Sequence, residues 1–438
     1  MTTPIYDFVK RYAESKTSRF HMPGHKGEGA LGCEGYDITE ISGADVLYSA
    51  DGIIGESEEN LTSLYGTAHS FYSTEGSTLA IKAMLALVTQ RSGGERPLVL
   101  AARNVHTAFI KAAALLDFDV EFIYSKNDSH LCACKISADE VREAIISADK
   151  KPRAVYITSP DYLGNLADIE GIAAVCREYG IPLLVDNAHG AYLKFLSKDM
   201  HPITLGAAMC ADSAHKTLPV LTGGAYLHIS ADFAHLVPKT RGALSLFAST
   251  SPSYLTLSSL DLCNERLSND YPEKIRAAAK MVGEIKEQIS AMGLDVQEGE
   301  PLKIVIKEGA PLAKHLRLRG IEPEFSDRDF TVLMITPENT EGDFEALTSA
   351  LSEYKAEAKG KENEAFTTAP HARVMSIREA ILAPCESIPA SQAEGRICAL
   401  PTVSCPPAVP IVVSGEVITK ADVEMLLYYG IEIIEVVK

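Results

Sequence analysis

The sequence predicts an α/β protein whose large domain has a mostly parallel, doubly wound sheet, followed by a small α+β domain and a C-terminal domain. From about residue 60 to 265, short apolar runs alternate with helical patterns, which is typical of repeated βαβ units. A chain of 438 residues is too long for one simple core, so more than one domain is expected. The stretch 357–364 is rich in charge and poor in apolar residues, which is typical of an exposed linker.

Local patterns predict each element of the alternating region in turn. The predicted strands cover 97–101, 120–124, 154–157 and 181–185, and the predicted helices cover 79–88, 107–116, 137–147 and 169–179. Ser137 is a suitable N-cap for the third of these helices, and Glu140, three residues later, completes a capping box. In a doubly wound sheet the chemistry lies at the C-terminal ends of the strands. The segment 159–164, Asp186 and Lys216 are all expected there.

The pattern changes after residue 270. A long helix over 271–292, strands at 302–306 and 331–335, and a helix over 343–354 predict a small α+β unit. The predicted organisation is an N-terminal segment at 1–60, a large domain at 61–270 that carries Asp186 and Lys216, the small domain at 271–355 and a C-terminal domain at 366–438.

Composition and charge exclude several classes of partner. A hydrophobic content of 46% with 23% charged residues is that of an ordinary soluble globular protein. The formal net charge of −18 argues against nucleic acid and anionic membranes as partners. No apolar run approaches the roughly 18–20 residues of a membrane span, and the N-terminus has no signal-peptide pattern. A cytoplasmic protein is therefore expected.

The nine cysteines are scattered without a disulfide rhythm, which favours a reducing compartment. Cys132 and Cys134 are separated by one residue and have no second pair nearby, so a zinc site or redox dithiol is not expected. Exposed or half-buried free thiols are expected there instead, and no metal site is predicted.

A carboxylate and a lysine thirty residues apart predict a cofactor. The apolar run 181–185 ends in Asp186, and Lys216 follows Ser213-Ala214-His215. Pyridoxal phosphate requires a lysine that holds its aldehyde as a Schiff base and an anion that keeps its pyridine nitrogen protonated. Each residue alone also has an ordinary explanation, as a strand-ending aspartate or a surface lysine.

A third feature supports the same cofactor. Gly76, Ser77 and Thr78 open an apolar helical segment. Free N–H groups at a helix start, the positive end of the helix dipole and two hydroxyls together form a phosphate cradle. The alternative is an ordinary Ser/Thr N-cap.

Five ordered motifs resemble the ornithine/lysine/arginine decarboxylase family. They are HMPGHKG at 21–27, RNVH at 103–106, DNAHG at 186–190, SAHK at 213–216 and STSPSY at 249–254. The resemblance is to the shorter bacterial branch without an N-terminal response-regulator-like wing domain, and it extends to Gly415-Glu416. It implies a fold type I, pyridoxal-phosphate-dependent, transferase-like large domain and a C-terminal domain of the decarboxylase type.

The resemblance also implies roles for single residues. Lys216 matches the Schiff-base lysine, Asp186 the partner of the pyridinium, and His106 the histidine that stacks on the ring and can assist proton transfer. By its local pattern alone, His106 would be a helix-start histidine without function. The further implied cofactor contacts are Gly76, Ser77, Thr78, His189, Ser213 and His215.

The implied reaction is decarboxylation of arginine, lysine or ornithine to carbon dioxide and an amine of polyamine synthesis. A homodimer or higher oligomer is implied because family active sites lie at subunit interfaces. The segment 21–26 is suited to reach a second subunit, or it closes over its own subunit. Two other functions stay open: another pyridoxal reaction, such as transamination or elimination, and a catalytically silent homologue that binds a partner.

Two sets of residues bear on these alternatives. An aminotransferase would hold the substrate α-carboxylate with an arginine, for which the candidates are Arg373, Arg378 and Arg396; ordinary salt bridges are the alternative. A basic substrate needs an acidic partner for its distal cation, for which the candidates are Asp161, Glu394 and Glu416.

The chain departs from the family pattern at four positions, which are Thr107 in place of a common Lys, Asp161 in place of Thr, Gly223 in place of Gln and Cys405 in place of Tyr. Asp161 is either a reader of the substrate cation or a turn residue. The sequence does not choose among the three amino acids.

Overall fold

The computed structural model describes residues 1–90, 94–126, 130–133, 135–355, 370–401 and 407–438. The expected linker at 357–364, Cys134 and Cys405 lie outside the described residues. The described chain forms two compact units. The first comprises Met1–Gln90 and Pro182–Arg276, and the second comprises the described residues of Arg91–Ile181 and Ala277–Lys438.

Helices and strands alternate as predicted. The helices are α1 (Pro4–Glu14), α2 (Ile53–Tyr65), α3 (Gly76–Val88), α4 (Thr107–Leu116), α5 (Ala138–Ser147), α6 (Ile169–Glu178), α7 (Ala214–Thr217), α8 (Val237–Ser245), α9 (Tyr254–Leu267), α10 (Tyr271–Ala291), α11 (Ala310–Arg317), α12 (Glu341–Glu353), α13 (Ile377–Leu382) and α14 (Lys420–Tyr428). The strands are β1 (His69–Ser73), β2 (Leu98–Ala102), β3 (Asp119–Ile123), β4 (Ala154–Thr158), β5 (Leu183–Asp186), β6 (Met209–Asp212), β7 (Ala225–Ile229), β8 (Val296–Gln297), β9 (Lys303–Ile306), β10 (Phe325–Ser326), β11 (Thr331–Met334), β12 (Cys385–Pro389), β13 (Cys398–Leu400) and β14 (Ile433–Val437).

Strands β1 to β7 belong to a mostly parallel sheet, which confirms the predicted fold class. In the first unit the order is β1-β7-β6-β5, where β5 and β6 are parallel and β7 runs antiparallel to both of its neighbours. In the second unit the order is β4-β2-β3, and both pairs are parallel. Every residue of β2, β5, β6 and β7 is buried, which explains why these strands appear in the sequence as continuous apolar runs.

Local signals account for the helix boundaries. Helix α4 begins and ends at the predicted residues, and α5 begins at the predicted capping box. The Ser137 hydroxyl accepts from the Glu140 amide, and the Glu140 carboxylate accepts from the Ser137 amide. Helix α3 buries residues on most of its faces, as its apolar sequence predicts.

Two smaller antiparallel sheets lie in the second unit. Strands β10, β11, β9 and β8 form one in that order, and β12, β14 and β13 form the other. The predicted strands at 302–306 and 331–335 are thereby confirmed to within a residue as β9 and β11. Ile418, Leu426 and Val436 are among the buried residues of the core beside the second sheet. The four domain boundaries stay a prediction.

The thiols of the described chain are free, including those of Cys33, Cys132, Cys176, Cys210, Cys263, Cys385 and Cys398. The expectation of an exposed or half-buried thiol is wrong for Cys132. Its side chain packs in an apolar cluster with Leu163, Val305 and Val332, and this burial raises the pKa of the thiol. In the part of the chain that the structure describes, no helix is long and apolar enough to cross a membrane.

Candidate active site

Two strand ends in the first unit carry the predicted cofactor residues. Strands β5 and β6 are parallel neighbours, with Val185 opposite Cys210 and Asp186 opposite Ala211. Their C-terminal ends therefore lie side by side at one edge of the sheet. The motifs 186–190 and 213–216, which are far apart in sequence, both leave the sheet at this edge.

The structure brings Lys216 and His189 together. Lys216 lies on α7, a helix of one turn that starts directly after β6. Its Nζ lies 3.0 Å from Nε2 of His189, which is buried in the turn that follows β5. The lysine amine is thus held by an imidazole, and the pair can share a proton between Nζ and Nε2.

Asp186 is a buried carboxylate at the end of β5. It is 2% exposed, and its Oδ1 accepts a hydrogen bond of 3.2 Å from the backbone N–H of Ala188. Burying a charge without partners is costly, so an ionised carboxylate in such a place attracts positively charged groups. A protonated ring nitrogen is a partner of that kind.

The residues of the predicted phosphate cradle lie at the start of α3. Gly76 has a φ of +71°, and no described heavy atom lies within 4 Å of the position where its Cβ would be. The N-cap position is taken by Glu75, whose side chain makes no capping hydrogen bond with any described residue. The Ser77 hydroxyl instead accepts from the Ser213 hydroxyl at 2.8 Å. The hydroxyls of Ser77 and Ser213 thus meet beside open space at the start of α3. This arrangement differs from an ordinary Ser/Thr N-cap, in which the hydroxyl accepts from a backbone N–H of its own helix.

The turn at Gly223-Gly224 holds the cradle and α7 together. The carbonyl of Gly223 accepts from the Gly76 N–H at 2.7 Å, and that of Gly224 accepts from Nδ1 of His215 at 2.9 Å. Burial lowers the pKa of His215, so its imidazole is neutral near pH 7 with the proton on Nδ1. Its Nε2 is then a hydrogen-bond acceptor.

The same turn explains one departure from the family pattern. Gly223 has a φ of +96°, and a Cβ there would lie 2.7 Å from the backbone oxygen of Thr74. Neither the conformation nor the space allows the glutamine that is common in the family.

Two predicted site residues belong to the second unit. His106 is the N-cap of α4, and its Nδ1 accepts from the Ala108 amide at 3.1 Å. Asp161 is buried and accepts from the backbone and side-chain nitrogens of Asn165 at 2.9 and 2.7 Å. These contacts favour the turn explanation for Asp161. The placement of His106 on the cofactor ring stays a prediction.

The three candidate arginines make structural contacts. Arg378 donates to the carbonyl of Ala114 at 2.9 Å, and Arg396 pairs with Glu386 at 2.7 Å. Arg373 pairs with Glu416 at 3.3 Å. For Arg373 and Arg396 these contacts favour the salt-bridge alternative over a clamp for a substrate carboxylate, and Arg378 is engaged by a backbone carbonyl.

Glu416 is also a poor candidate for the distal cation of a substrate. It is 2% exposed, accepts from the Val413 amide at 2.8 Å, and lies 3.9 Å from Arg103 in addition to its contact with Arg373. Glu394 is exposed.

Sequence reasoning missed a group of buried polar residues behind the two strand ends. Asp212 directly precedes the motif 213–216 and is not among the candidates predicted from the sequence, yet its carboxylate contacts Asn187, His201 and His228. These residues lie far apart in sequence, and each alone has the pattern of an ordinary strand or loop residue, so no local signal identifies the group.

Comparison with known proteins identifies the family. The model of the Orn/Lys/Arg decarboxylase major domain matches residues 3–275, and that of the C-terminal domain matches residues 359–433. The arginine decarboxylase of Bacillus subtilis is 27% identical over 464 aligned positions, which cover 97% of this chain and 93% of the relative.

Solved structures show the same fold. The lysine decarboxylase LdcF of Francisella novicida superposes with a TM-score of 0.84 at 17% identity, covering all of this chain and 81% of the other. The constitutive lysine decarboxylase of E. coli has a TM-score of 0.81 at 17% identity and covers all of this chain and 82% of the other. The first family model alone spans well over half of the sequence, and its family is the one that the five motifs resemble. The chain belongs to the Orn/Lys/Arg decarboxylase family.

Proposed function

We propose that this protein uses pyridoxal phosphate to release carbon dioxide from a basic L-amino acid and form the corresponding amine. The observation that carries the proposal is the approach of Lys216 to His189 at the strand edge where Asp186 also lies, in a chain that matches the decarboxylase family over most of its length. When bound, pyridoxal phosphate supplies an electron sink for the bond that breaks.

The residues at the two strand ends fit this cofactor. Lys216 offers a primary amine for the aldehyde, and the buried carboxylate of Asp186 offers a negative charge for the ring nitrogen. Ser77, Thr78 and Ser213 offer hydroxyls beside the start of α3, where the missing side chain of Gly76 leaves open space. These are the donor types that an aldehyde, a pyridine and a phosphate require.

Each of these residues has its own task in the proposed reaction. His189 orients the lysine amine and can hold a proton at Nε2. The negative charge of Asp186 would hold a proton on the ring nitrogen of a bound cofactor. Neutral His215 keeps α7 attached to the turn at Gly224 and thereby holds Lys216 in place. His106 is proposed to cover the ring, on the strength of the family motif alone.

Arginine is the proposed first substrate, followed by lysine. Full-length relatives at 27% identity carry the name arginine decarboxylase, and the solved structures with the same fold are lysine decarboxylases. Ornithine is the third candidate. The amine product is proposed to enter polyamine synthesis, and the free thiols of the described chain support a reducing, cytoplasmic location.

A homodimer or higher oligomer is part of the proposal. The N-terminal segment carries large apolar side chains in water, since Phe20 is 96% exposed, Leu31 85% and Met22 65%. Several large apolar side chains left exposed in one segment are consistent with a protein interface. A second copy of the chain is the occupant that the family resemblance implies.

The test is a product assay. Purified protein loaded with pyridoxal phosphate is incubated separately with L-arginine, L-lysine and L-ornithine, and both carbon dioxide and amine are measured. The wild-type protein should convert one of the three amino acids much faster than the other two, and the Lys216→Ala variant should convert none of them. If no basic amino acid loses its carboxylate but an added keto acid is aminated, the protein is an aminotransferase. If neither reaction occurs while the cofactor is bound, the protein is a silent homologue.

A further inference from the structure

A buried carboxylate lies between the two segments that carry Lys216 and His189. Asp212 is the last residue of β6 and directly precedes the motif 213–216. Its side chain is fully buried. The proposed reaction has no role for it, yet its position couples it to both segments.

The contacts of Asp212 come from three sides. Its Oδ1 accepts from the side-chain amide of Asn187 at 2.8 Å, and its Oδ2 accepts from Nε2 of His201 at 3.0 Å. Nε2 of His228 lies 3.3 Å from the same Oδ2, and Nδ1 of His228 is hydrogen-bonded to the Ser70 hydroxyl at 2.7 Å. Asn187, His201 and His228 are fully buried, and so is Ser70.

These partners keep the carboxylate ionised. Burial alone would raise the pKa of Asp212, but the charges and hydrogen bonds of His201 and His228 outweigh burial and lower the pKa. A buried charge with several hydrogen bonds has a sharply defined position, because leaving any partner unpaired is costly.

Asn187 transmits that position to the His189 segment. It follows Asp186 directly, its N–H donates to the carbonyl of Ala211 at 2.9 Å, and its own carbonyl accepts from the Gly190 N–H at 2.8 Å. The side chain held by Asp212 therefore belongs to the residue that shapes the turn carrying His189. Asp212 itself continues into Ser213 and α7, which carries Lys216.

We propose that Asp212 is a positioning residue that fixes the separation between Asp186 and Lys216 and thereby sets the affinity for pyridoxal phosphate. This inference rests on the proposed cofactor of the active site. A rigid ring that meets an amine on one side and a carboxylate on the other binds well only when their spacing is held. The carboxylate of Asp212 holds the two chain segments that determine this spacing.

A metal at the same place is the competing explanation. Donor atoms of His201, Cys210 and Asp212 lie within 4.8 Å of one another, and these are residue types that zinc binds. However, Asn187 and His201 already donate hydrogen bonds to the two oxygens of the carboxylate, so these contacts hold the group together without a metal ion.

Glu58 offers a matched control in the same unit. Its carboxylate is fully buried, accepts from the Tyr72 amide at 2.9 Å, and contacts Arg241 at 2.6 Å and His69 at 3.2 Å. It lies on α2, and these contacts involve neither of the segments 186–190 and 213–216. Asp212→Asn and Glu58→Gln thus each neutralise one buried carboxylate that contacts a histidine. Of these two carboxylates, only that of Asp212 is linked to the segments 186–190 and 213–216.

The experiment compares cofactor affinity with stability. Full-length wild type, Asp212→Asn and Glu58→Gln are stripped of cofactor, their thermal midpoints are measured, and pyridoxal phosphate is titrated back while its visible absorption is followed. Both variants should melt earlier than wild type. The dissociation constant should rise about tenfold or more in Asp212→Asn, with a displaced absorption band, and less than about twofold in Glu58→Gln.

A second variant serves in case Asp212→Asn does not fold. Asn187→Ala removes the link to the turn while Asp212 keeps both histidines, and it should also weaken cofactor binding several-fold. Unchanged affinity in a folded Asp212→Asn or Asn187→Ala variant would overturn the inference, and so would stoichiometric zinc in the wild-type protein by elemental analysis. The cofactor titration contains no amino acid substrate, so its result does not depend on decarboxylation. A wild-type protein that binds the cofactor but decarboxylates no amino acid would therefore contradict the proposed function and not this inference.

Discussion

The Nζ atom of Lys216 lies 3.0 Å from Nε2 of His189, although the two residues are 27 positions apart. They meet because β5 and β6 are parallel neighbours whose C-terminal ends open at the same edge. The distance between a reactive amine and its imidazole partner is therefore set by the pairing of two buried strands, which makes it rigid.

The first prediction concerns the lysine that carries the cofactor. Protein incubated with pyridoxal phosphate should absorb in the visible, and borohydride should attach the cofactor covalently to Lys216, because its amine lies at the strand edge with Asp186. Peptide mapping identifies the labelled residue. Lys216→Ala should lose the label, and Lys26→Ala should keep it because Lys26 is an exposed lysine whose amine donates to the carbonyl of His21. A label on any other lysine would contradict the assignment.

The second prediction concerns the charge at the end of β5. Asp186→Asn keeps the shape of the side chain and can keep the acceptor for the Ala188 N–H, but it removes the charge that protonates the ring nitrogen. Turnover should fall by about two powers of ten or more, which corresponds to about 3 kcal/mol of transition-state stabilisation. Steady-state kinetics on cofactor-saturated protein measures this loss. Turnover within a few-fold of wild type would show that another group supplies the charge.

The third prediction concerns the turn beside the phosphate cradle. Gly223→Ala should destabilise the cofactor-free protein because its Cβ would lie 2.7 Å from the Thr74 oxygen at a φ of +96°. Gly66→Ala is the control, since Gly66 also has a positive φ, +68°, but no described atom within 4 Å of its Cβ position. Gly223→Ala should cost about 1–3 kcal/mol more than Gly66→Ala in denaturant unfolding. Equal losses would mean that the turn can shift away from Thr74.

The fourth prediction concerns the pH dependence of stability. Asp261 is fully buried, accepts from the amides of Ile5 and Tyr6 at the start of α1, and accepts from the Ser57 hydroxyl. Burial raises its pKa from 3.8 to about 6. The folded protein then holds this proton at pH values where the unfolded chain has released it. The contribution of Asp261 to stability is therefore fully present below about pH 4 and is lost as the pH rises to about 6.

Asp261→Asn isolates this effect from other titrating groups. The free energy of unfolding of the wild type minus that of Asp261→Asn should fall by up to about 3 kcal/mol between pH 4 and pH 7. Above pH 7 this difference should stay constant. Denaturant titrations at several pH values measure the difference. Parallel curves for the two proteins would show that Asp261 does not titrate in this range.

The fifth prediction concerns assembly. Light scattering should give at least twice the chain mass of 47.2 kDa for active protein. Phe20→Asp should raise the monomer fraction, because a charge would have to be buried in the proposed interface. Leu318→Asp is the control, since Leu318 is also exposed, at 76%, but lies in the second unit far along the chain from the N-terminal segment. An active monomer of the wild type would rule out the assembly.

Local sequence patterns were sufficient to predict many of the helices and strands. The capping box at Ser137 and Glu140, the bounds of α4 and the apolar run that ends in Asp186 depend on neighbours within a few residues, and the structure has them as predicted. The five motifs were likewise sufficient for the family. These features are local, so they can be recognised before the chain is folded.

The tertiary structure alone decided which of the candidate residues are available for chemistry. Glu416, Arg373 and Asp161 carry the right groups for a substrate, but their partners occupy them. Asp212 was not a candidate, yet it is linked to the segment 186–190 through Asn187 and to the segment 213–216 through its own chain. Such contacts depend on strand register and on packing between residues far apart in sequence. No local pattern contains that information, because a one-residue shift of a strand would turn every side chain to its other face.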